Sequence, residues 1–116
     1  MGKDIRLRTS REFATVLKWG KRWSNDLLVL RVHPNGLEVN RYGISVGKGL
    51  GKAVLRNRFK RRIRESVREL STRKGWDLVL IGRRDATNAT YKALKEALQD
   101  LLRSAGLLCP LVAQWA

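Results

Sequence analysis

The side chains of this chain that are best suited to chemistry are cations, concentrated between Gly51 and Glu65, where the sequence reads GKAVLRNRFKRRIRE. Between Lys52 and Arg64 there are seven Lys or Arg and no Asp or Glu. Repulsion among so many like charges costs stability, and it is easiest to understand if a polyanion normally covers them. The segment therefore indicates contact with nucleic acid. The alternative is a basic face that is merely solvated.

An apolar pattern within the same region predicts that it is a helix. Apolar residues recur at spacings of four, four and three, and so share one side of a helical wheel. These residues are Phe59, Ile63, Val67 and Leu70. The opposite side carries Lys60, Arg64, Arg68, Arg61 and Asn57. We therefore expect a helix over about 53–70 that docks on a core and holds a guanidinium-rich surface outward.

Composition bounds the class of protein and of partner. The chain has 116 residues, 43% of them hydrophobic, which suits one domain with a modest core. Its formal net charge of +15 implies a polyanionic partner and salt-sensitive binding, because neutralised phosphates release condensed counterions. Charge alone does not say which nucleic acid binds. The single cysteine, Cys109, excludes an intramolecular disulfide.

The sequence does not indicate a membrane protein. It contains no apolar stretch of about 18 residues that would span a bilayer. The segment Met1–Ser10, MGKDIRLRTS, lacks the apolar region of a signal peptide. We therefore expect a cytoplasmic protein with no membrane partner.

The loop before the basic helix is rich in glycine, with Gly47, Gly49 and Gly51 followed by Lys52. A Walker phosphate loop needs four residues between its glycines and a Ser or Thr after the lysine. Here three residues separate Gly47 from Gly51, and Ala53 stands where the magnesium-binding hydroxyl would be. An NTPase is therefore a poor interpretation. The loop can still present backbone N–H groups to a phosphate, such as that of an RNA backbone.

The sequence offers no catalytic site for hydrolysis. Most of its ten carboxylates fall where helix surfaces or caps explain them. Asp77 and Asp85 stand at opposite ends of one predicted strand, too far apart to share a metal ion. His33 is the only histidine and Cys109 the only cysteine, so the sequence has too few of these residues for a metal site of His and Cys ligands. We therefore expect no catalytic residue and no metal ligand; if the chain belongs to a nuclease, catalysis lies elsewhere.

Aromatic residues near the N-terminus admit two interpretations. Phe13 and Leu17 share one face of the first predicted helix and are first of all core candidates. The sharper hypothesis is that Phe13 lines a groove and stacks on a single-stranded base. Trp19 and Trp23 flank the cations Lys21-Arg22, which is compatible with RNA-facing positions.

Local patterns place these residues on helices and strands. Thr9 and Glu12 form a capping box, so the first helix begins near Ser10, and Gly20 is a natural C′ residue to end it. The other predicted elements are strands at 27–33, 37–40, 42–47 and 76–82, a turn at 34–36, the basic helix and a helix at 90–104. This order predicts an α/β (α+β) two-layer sandwich of αβββαβα type with a small mixed sheet. Residues 1–106 would form one domain, followed by an apolar tail, 107–116, of unknown role.

The segment Gly51–Glu65 closely resembles the RNR signature of the protein subunit of bacterial ribonuclease P. Its apolar, Arg-Asn-Arg and basic positions match in order. The resemblance extends over residues 7–104. Residues 7–13 with Gly20 are similar to the family's first helix, 28–30 to its first strand, and 42–46 to the strand that leads into the signature. Residues 77–81 and Thr90-Tyr91 fit its last strand and helix.

The resemblance implies a fold and a function. The family fold is an α/β sandwich with a left-handed βαβ crossover, an exception to the usual right-handed preference. The protein assists a catalytic RNA that cuts the 5′ leader from precursor tRNA to give the mature 5′ end. The enzyme is thus a ribonucleoprotein endoribonuclease whose RNA holds the catalytic Mg²⁺ ions. The implied partners are that catalytic RNA and precursor tRNA, with no DNA expected.

The resemblance also implies roles for individual residues. The RNA-binding residues would be Lys52, Arg56, Asn57, Arg58, Lys60, Arg61, Arg62, Arg64 and Arg68. The cleft that holds the leader would be lined by Phe13, Leu17, Ser45, Lys48 and Asn57.

The chain departs from the family pattern around the expected cleft. Leu17 and Arg31 stand where aromatic residues are common, and Asp26 stands where the family often has Arg. Gly47 and Gly49 lie in a loop that is usually richer in Ser and Lys. We expect these changes to alter the cleft and not the basic helix. The alternative function is a structural rRNA-binding ribosomal or assembly protein, which charge and size fit equally well. A stand-alone metal nuclease would lack its ligands.

Overall fold

Within residues 5–109 the chain combines three α-helices with five strands, as expected for an α/β protein. The computed structural model describes residues 5–109. In chain order the elements are β1 (Ile5–Arg6), α1 (Ser10–Trp19), β2 (Lys21–Ser24), β3 (Leu28–Pro34), β4 (Arg41–Ser45), α2 (Ala53–Glu69), β5 (Trp76–Gly82) and α3 (Tyr91–Ser104), with short 3-10 turns at Lys48–Leu50 and Ala86–Asn88. The predicted α/β fold class is confirmed.

The strands form one mixed sheet in the order β1-β4-β5-β3-β2. The central strand β5 runs parallel to β4 and antiparallel to β3. Because β4 and β5 are neighbours and α2 connects them, these three elements form a βαβ unit. At the sheet edges, β2 pairs with β3, and β1 adds two residues beside β4.

The sheet carries helices on both faces. On one face Leu80 of β5 lies in the same core cluster as Phe59 of α2 and Leu98 of α3. On the other face Val79 packs with Val16 of α1. Burial of β5 on both faces, predicted from its apolar run, is confirmed. The sheet with α2 and α3 forms the main pair of layers, and α1 covers part of the opposite face.

The predicted strand at 37–40 is wrong, and the strand β2 was not predicted, although three strands do lie between α1 and α2 as expected. Residues 37–40 form no strand because an amide side chain binds their backbone. The Asn35 side chain accepts the N–H of Leu37 at 2.7 Å and donates to the carbonyl of Val39 at 3.2 Å. The third strand is instead β2. Its sequence, KRWS, has no apolar alternation, and it is a strand because it pairs with β3.

The two ends of α1 show one confirmed prediction and one that is wrong. The Thr9 hydroxyl accepts the N–H of Glu12 at 3.1 Å and the Glu12 carboxylate accepts the N–H of Thr9 at 3.2 Å, which completes the capping box. Gly20 does end the helix, but with an extended backbone, φ −76°, in place of the left-handed C′ conformation. Glycine is needed there for space. A Cβ would lie 2.4 Å from the carbonyl oxygen of Val16 and 2.8 Å from that of Val32.

The chain after α3 packs back on the domain. Leu107 is buried, and the N–H of Cys109 donates to the carbonyl of Ser71 at 2.9 Å. The first three residues of the predicted apolar tail therefore contact the domain. Residues 110–116 of that tail lie outside the described residues.

Candidate nucleic-acid interface

The nine predicted RNA-binding residues lie on α2 or at its N-cap, and they divide by exposure. The exposed ones are Lys52, Asn57, Arg61 and Arg68; the half-buried ones are Arg56, Arg58, Lys60, Arg62 and Arg64. Phe59 and Ile63 are buried, as their spacing predicts. The cationic surface therefore covers the solvent side of α2 and continues down both of its flanks.

One flank of α2 is bonded to the loop that follows β5. The guanidinium of Arg58 donates to the carbonyl of Thr87 at 2.9 Å, and that of Arg62 donates to the carbonyl of Ala89 at 2.6 Å. The buried hydroxyl of Thr87 donates in turn to the carbonyl of Leu50 at 2.7 Å. Arg58 and Arg62 therefore hold the loops at this end of the sheet together, whatever else they bind.

The other flank of α2 faces the sheet edge at β4. Lys60 and Arg64 of α2 and Phe13 of α1 line a hollow at this edge. The remaining lining residues are Arg6, Leu7, Tyr42, Gly43 and Ile44. The hollow is polar on the α2 side and apolar on the α1 side. Two of the half-buried cations thus lie beside the aromatic residue that the sequence singled out for base stacking.

A longer, open groove runs between α1 and the end of β4. Its walls are formed by Ser10, Phe13, Ala14 and Leu17 of α1 and by Ile44 and Ser45 of β4, with Arg8 and Thr9 at one end. Phe13 and Ile44 line this groove as well as the hollow beside Lys60, so the two adjoin at these side chains. The fold therefore brings together three of the predicted cleft residues, Phe13, Leu17 and Ser45.

Phe13 combines the two roles that the sequence left open. One side of its ring packs into the small cluster around Val16 and Val79. The ring lies so close to Gly43 that a Cβ at this glycine would be 2.1 Å from Cζ of Phe13. The residue is nevertheless only half-buried and faces the groove. Gly43 thus makes room on β4 for an aromatic side chain that is both packed and accessible.

Lys48 and Asn57 were expected in the same cleft but line neither the groove nor the hollow. Lys48 lies in the 3-10 turn after β4, and Asn57 lies on the first turns of α2; both are exposed.

A charged network that the sequence analysis missed fixes the position of α1. The Arg41 guanidinium donates to the buried carboxylate of Asp77 and, at 2.9 Å, to Glu12 of the capping box. The N–H groups of Arg8 and Thr9, and then Arg41, hold the pKa of Glu12 below its usual value of 4.5. Hydrogen bonding to Asp77 raises the pKa of Arg41. The available signal was Asp77 itself, since a carboxylate inside an apolar strand needs a partner.

Arg31 was identified only as a departure from the family pattern, and it holds the other end of α1. Its guanidinium donates to the carbonyl of Leu17 at 2.6 Å and approaches that of Gly20 at 3.4 Å. A cation at these carbonyls also complements the negative end of the helix dipole. Both ends of α1 are therefore tied to the sheet by arginines, one on β4 and one on β3.

Residues 5–109 contain no group of three or more His, Cys, Asp or Glu side chains arranged to hold a metal ion. Within the same part of the chain, no helix combines the length and apolarity needed to cross a membrane. The chemistry that the described site supports is the binding of phosphates by cations and of bases by exposed apolar and aromatic side chains.

Comparison with known proteins gives consistent matches. The family model for ribonuclease P matches residues 1–106. The chain is 44% identical over 108 residues to the ribonuclease P protein component of Clostridium botulinum strain Langeland, covering 90% of this chain and 97% of the relative. It is 41% identical to that of Caldanaerobacter subterraneus subsp. tengcongensis, covering 90% and 92% of the two chains.

Solved structures agree with these sequence matches. The RNase P protein of Staphylococcus aureus superposes with a TM-score of 0.82 at 32% identity, covering 92% of this chain and 100% of that one. The RNase P protein of Thermotoga maritima gives a TM-score of 0.79 at 34% identity, with coverages of 85% and 96%. None of these matches favours the ribosomal alternative.

Proposed function

Since this chain belongs to the ribonuclease P protein family, the protein component of a tRNA-processing ribonucleoprotein enzyme, we propose that it binds the catalytic RNA of that enzyme through α2. We further propose that the groove between α1 and β4 holds the 5′ leader of precursor tRNA. One observation carries the proposal: Phe13 lines both the groove and the hollow that contains Lys60 and Arg64. Aromatic and cationic contacts are therefore available to one continuous RNA strand.

The electrostatic part of the proposal rests on the exposed side of α2. Lys52, Arg61 and Arg68 are open to solvent, and no hydrogen bond in the described part of the chain occupies their charged groups. Such cations gain most from a polyanion, because binding relieves their mutual repulsion and releases counterions from the RNA. They would screen the repulsion between the catalytic RNA and its substrate, and so strengthen substrate binding.

The leader-binding part rests on the shape and chemistry of the groove. It is open along its length, as a single strand requires, and Phe13 and Leu17 offer apolar surface on which bases can lie. Base–aromatic stacking contributes about 1–3 kcal/mol per base and tolerates any sequence. That tolerance suits a leader, whose sequence differs from one precursor to another. The hydroxyls of Ser10 and Ser45 are available for hydrogen bonds along the groove.

The residues of the groove do not fit a protein-held Mg²⁺ ion. The carboxylates nearest to it, Glu12 and Asp77, are both bound by Arg41. Mg²⁺ prefers free carboxylate oxygens and waters in an octahedral arrangement. We therefore assign the catalytic Mg²⁺ to the RNA partner and give the protein no catalytic residue.

Single-turnover cleavage of a precursor tRNA by a bacterial ribonuclease P RNA tests the proposal. The Mg²⁺ concentration is set low enough that the RNA alone cleaves slowly. We expect the protein to restore cleavage at the mature 5′ end and to cleave nothing by itself. A folded, RNA-bound protein that leaves the cleavage rate unchanged with every such RNA would contradict the proposal. Crosslinking would then identify the RNA that it does bind.

A further inference from the structure

Trp19, at the last turn of α1, leaves 67% of its surface exposed. Trp23, four residues later, packs against the core formed by the sheet and the α2–α3 layer. The structure therefore separates two tryptophans that the sequence presents as a pair. One stabilises the fold, and the other is an exposed aromatic side chain that the fold does not explain.

Trp19 lies outside the groove, on the opposite flank of α1. At about 100° per residue, Trp19 is about 160° from Leu17 around the helix and close to Glu12. Leu17, Lys18 and Trp19 are consecutive and all exposed. They form a continuous path from the groove, around the solvent side of the last helical turn, to the far flank.

The charges along this path are all of one sign. The Lys18 ammonium lies 5.1 Å from the centre of the Trp19 ring. Arg22 is exposed on the neighbouring edge strand β2, where it pairs with Arg31 and so lies on the α1 face of the sheet. No Asp or Glu occurs between Phe13 and Asn25. Glu12, the carboxylate on the same flank, is bound by Arg41. An exposed indole surrounded by uncompensated cations is the combination that binds single-stranded nucleic acid.

We propose that Trp19, together with Lys18 and Arg22, binds the distal part of the 5′ leader. These are the nucleotides that leave the groove past Leu17 and cross the C-terminal turn of α1. A base stacks on the indole ring, and the two cations contact the adjacent phosphates. The inference rests on the proposed leader groove and extends it. A leader that ends inside the groove does not reach Trp19.

Leader length is therefore the variable that tests this inference. The reconstituted holoenzyme is titrated with two precursor tRNAs, one whose leader ends within the groove and one whose leader carries an additional single-stranded 5′ segment. For Trp19→Ala we expect the Kd ratio of long-leader to short-leader precursor to rise by at least about fivefold, the low end of base stacking. Trp19→Phe keeps an aromatic face and should retain most of the affinity. Leu37→Ala, which also truncates an exposed apolar side chain, is the matched control.

Three outcomes would overturn the inference. They are an unchanged Kd ratio in Trp19→Ala, an equal loss for both leaders, and a loss of affinity for the catalytic RNA in the absence of any precursor. The last outcome would assign the patch to the catalytic RNA. Failure of the proposed function itself is recognised separately, because the wild-type protein would then not stimulate cleavage of either precursor.

Discussion

Arg41 binds the carboxylate of Asp77 through two parallel hydrogen bonds, from Nε to Oδ1 at 2.8 Å and from Nη2 to Oδ2 at 2.7 Å. Its remaining nitrogen, Nη1, lies 2.9 Å from Oε2 of Glu12. One guanidinium on β4 therefore connects a buried carboxylate on β5 to the first turn of α1. Because α1 forms one wall of the groove, the position of that wall depends on this ion pair.

Removing Asp77 should destabilise the protein. Asp77→Ala leaves the Arg41 guanidinium, which is 24% exposed, without its main partner. Breaking a buried ion pair from one side costs about 3–5 kcal/mol, and the partial exposure of Arg41 favours the lower value. Urea unfolding would measure the loss. The control is Asp100→Ala, which breaks the exposed pair with Arg103 and should cost less than about 1 kcal/mol. Equal losses in the two variants would contradict the role given to Arg41.

Acid should weaken the attachment of α1 through Glu12. Its pKa is held below 4.5 by the N–H groups of Arg8 and Thr9 and by Arg41. The carboxylate therefore contributes stability that is fully present above its unfolded pKa and is lost as the pH falls through the lower, folded pKa. Unfolding midpoints measured from neutral pH downward should fall less steeply in Glu12→Gln than in the wild type. Glu38→Gln, which changes an exposed glutamate outside α1, is the control. Parallel curves for Glu12→Gln and wild type would refute the assignment.

The arginines of α2 should separate into two classes by their effect on folding. Arg61→Ala with Arg68→Ala removes two exposed cations, so RNA affinity should fall while the free energy of unfolding changes by less than about 0.5 kcal/mol. The slope of log K against log salt should decrease by about 1.5–2, as expected for two lost phosphate contacts.

Arg58→Ala with Arg62→Ala is the matched comparison for that pair. It removes the same charge together with the hydrogen bonds to the carbonyls of Thr87 and Ala89, so unfolding and RNA binding should both be affected. Unfolding curves and salt titrations on the two double variants check both statements. An unchanged salt slope in the exposed pair would argue against RNA contact on that side of α2.

Leu17→Phe should improve leader binding. Leu17 is 43% exposed on the groove wall, one helical turn from Phe13, so a larger ring fits there without crowding the core. A second aromatic face should lower the Kd for precursor tRNA by about fivefold, equivalent to about 1 kcal/mol of stacking, and leave mature tRNA unaffected. Because the change adds a contact, misfolding cannot imitate the result. Equal affinity of Leu17→Phe and wild type for precursor tRNA would place the leader elsewhere.

The elements that could be predicted from sequence are those with strong local signals. The apolar spacing of Phe59 and Ile63 predicts α2, the Thr9–Glu12 capping box predicts the start of α1, and the apolar run at 76–82 predicts a strand buried on both faces. Each of these signals lies within one element and owes little to the rest of the fold. The basic surface was visible for the same reason, since charge density is a property of the segment.

The features of the fold and of the groove that could not be predicted depend on contacts between distant parts of the chain. β2 becomes a strand because β3 lies beside it, and residues 37–40 do not because the side chain of Asn35 binds the backbone of Leu37 and Val39. The accessible position of Phe13 requires Gly43, which is thirty residues later in the chain. Helical periodicity indicates which side of α1 faces inward, but not whether the opposing strand leaves an open groove.

The charge density of α2 also bears on the fate of the protein before it meets its RNA. An unassembled copy bears the full repulsion among the cations of this helix, whereas a copy in the ribonucleoprotein is stabilised by every contact that only the folded state can make. Protein synthesised in excess of its RNA is therefore the less stable population and the one more open to proteolysis. The charge of the basic helix thus makes the stability of the folded chain depend on whether RNA is bound.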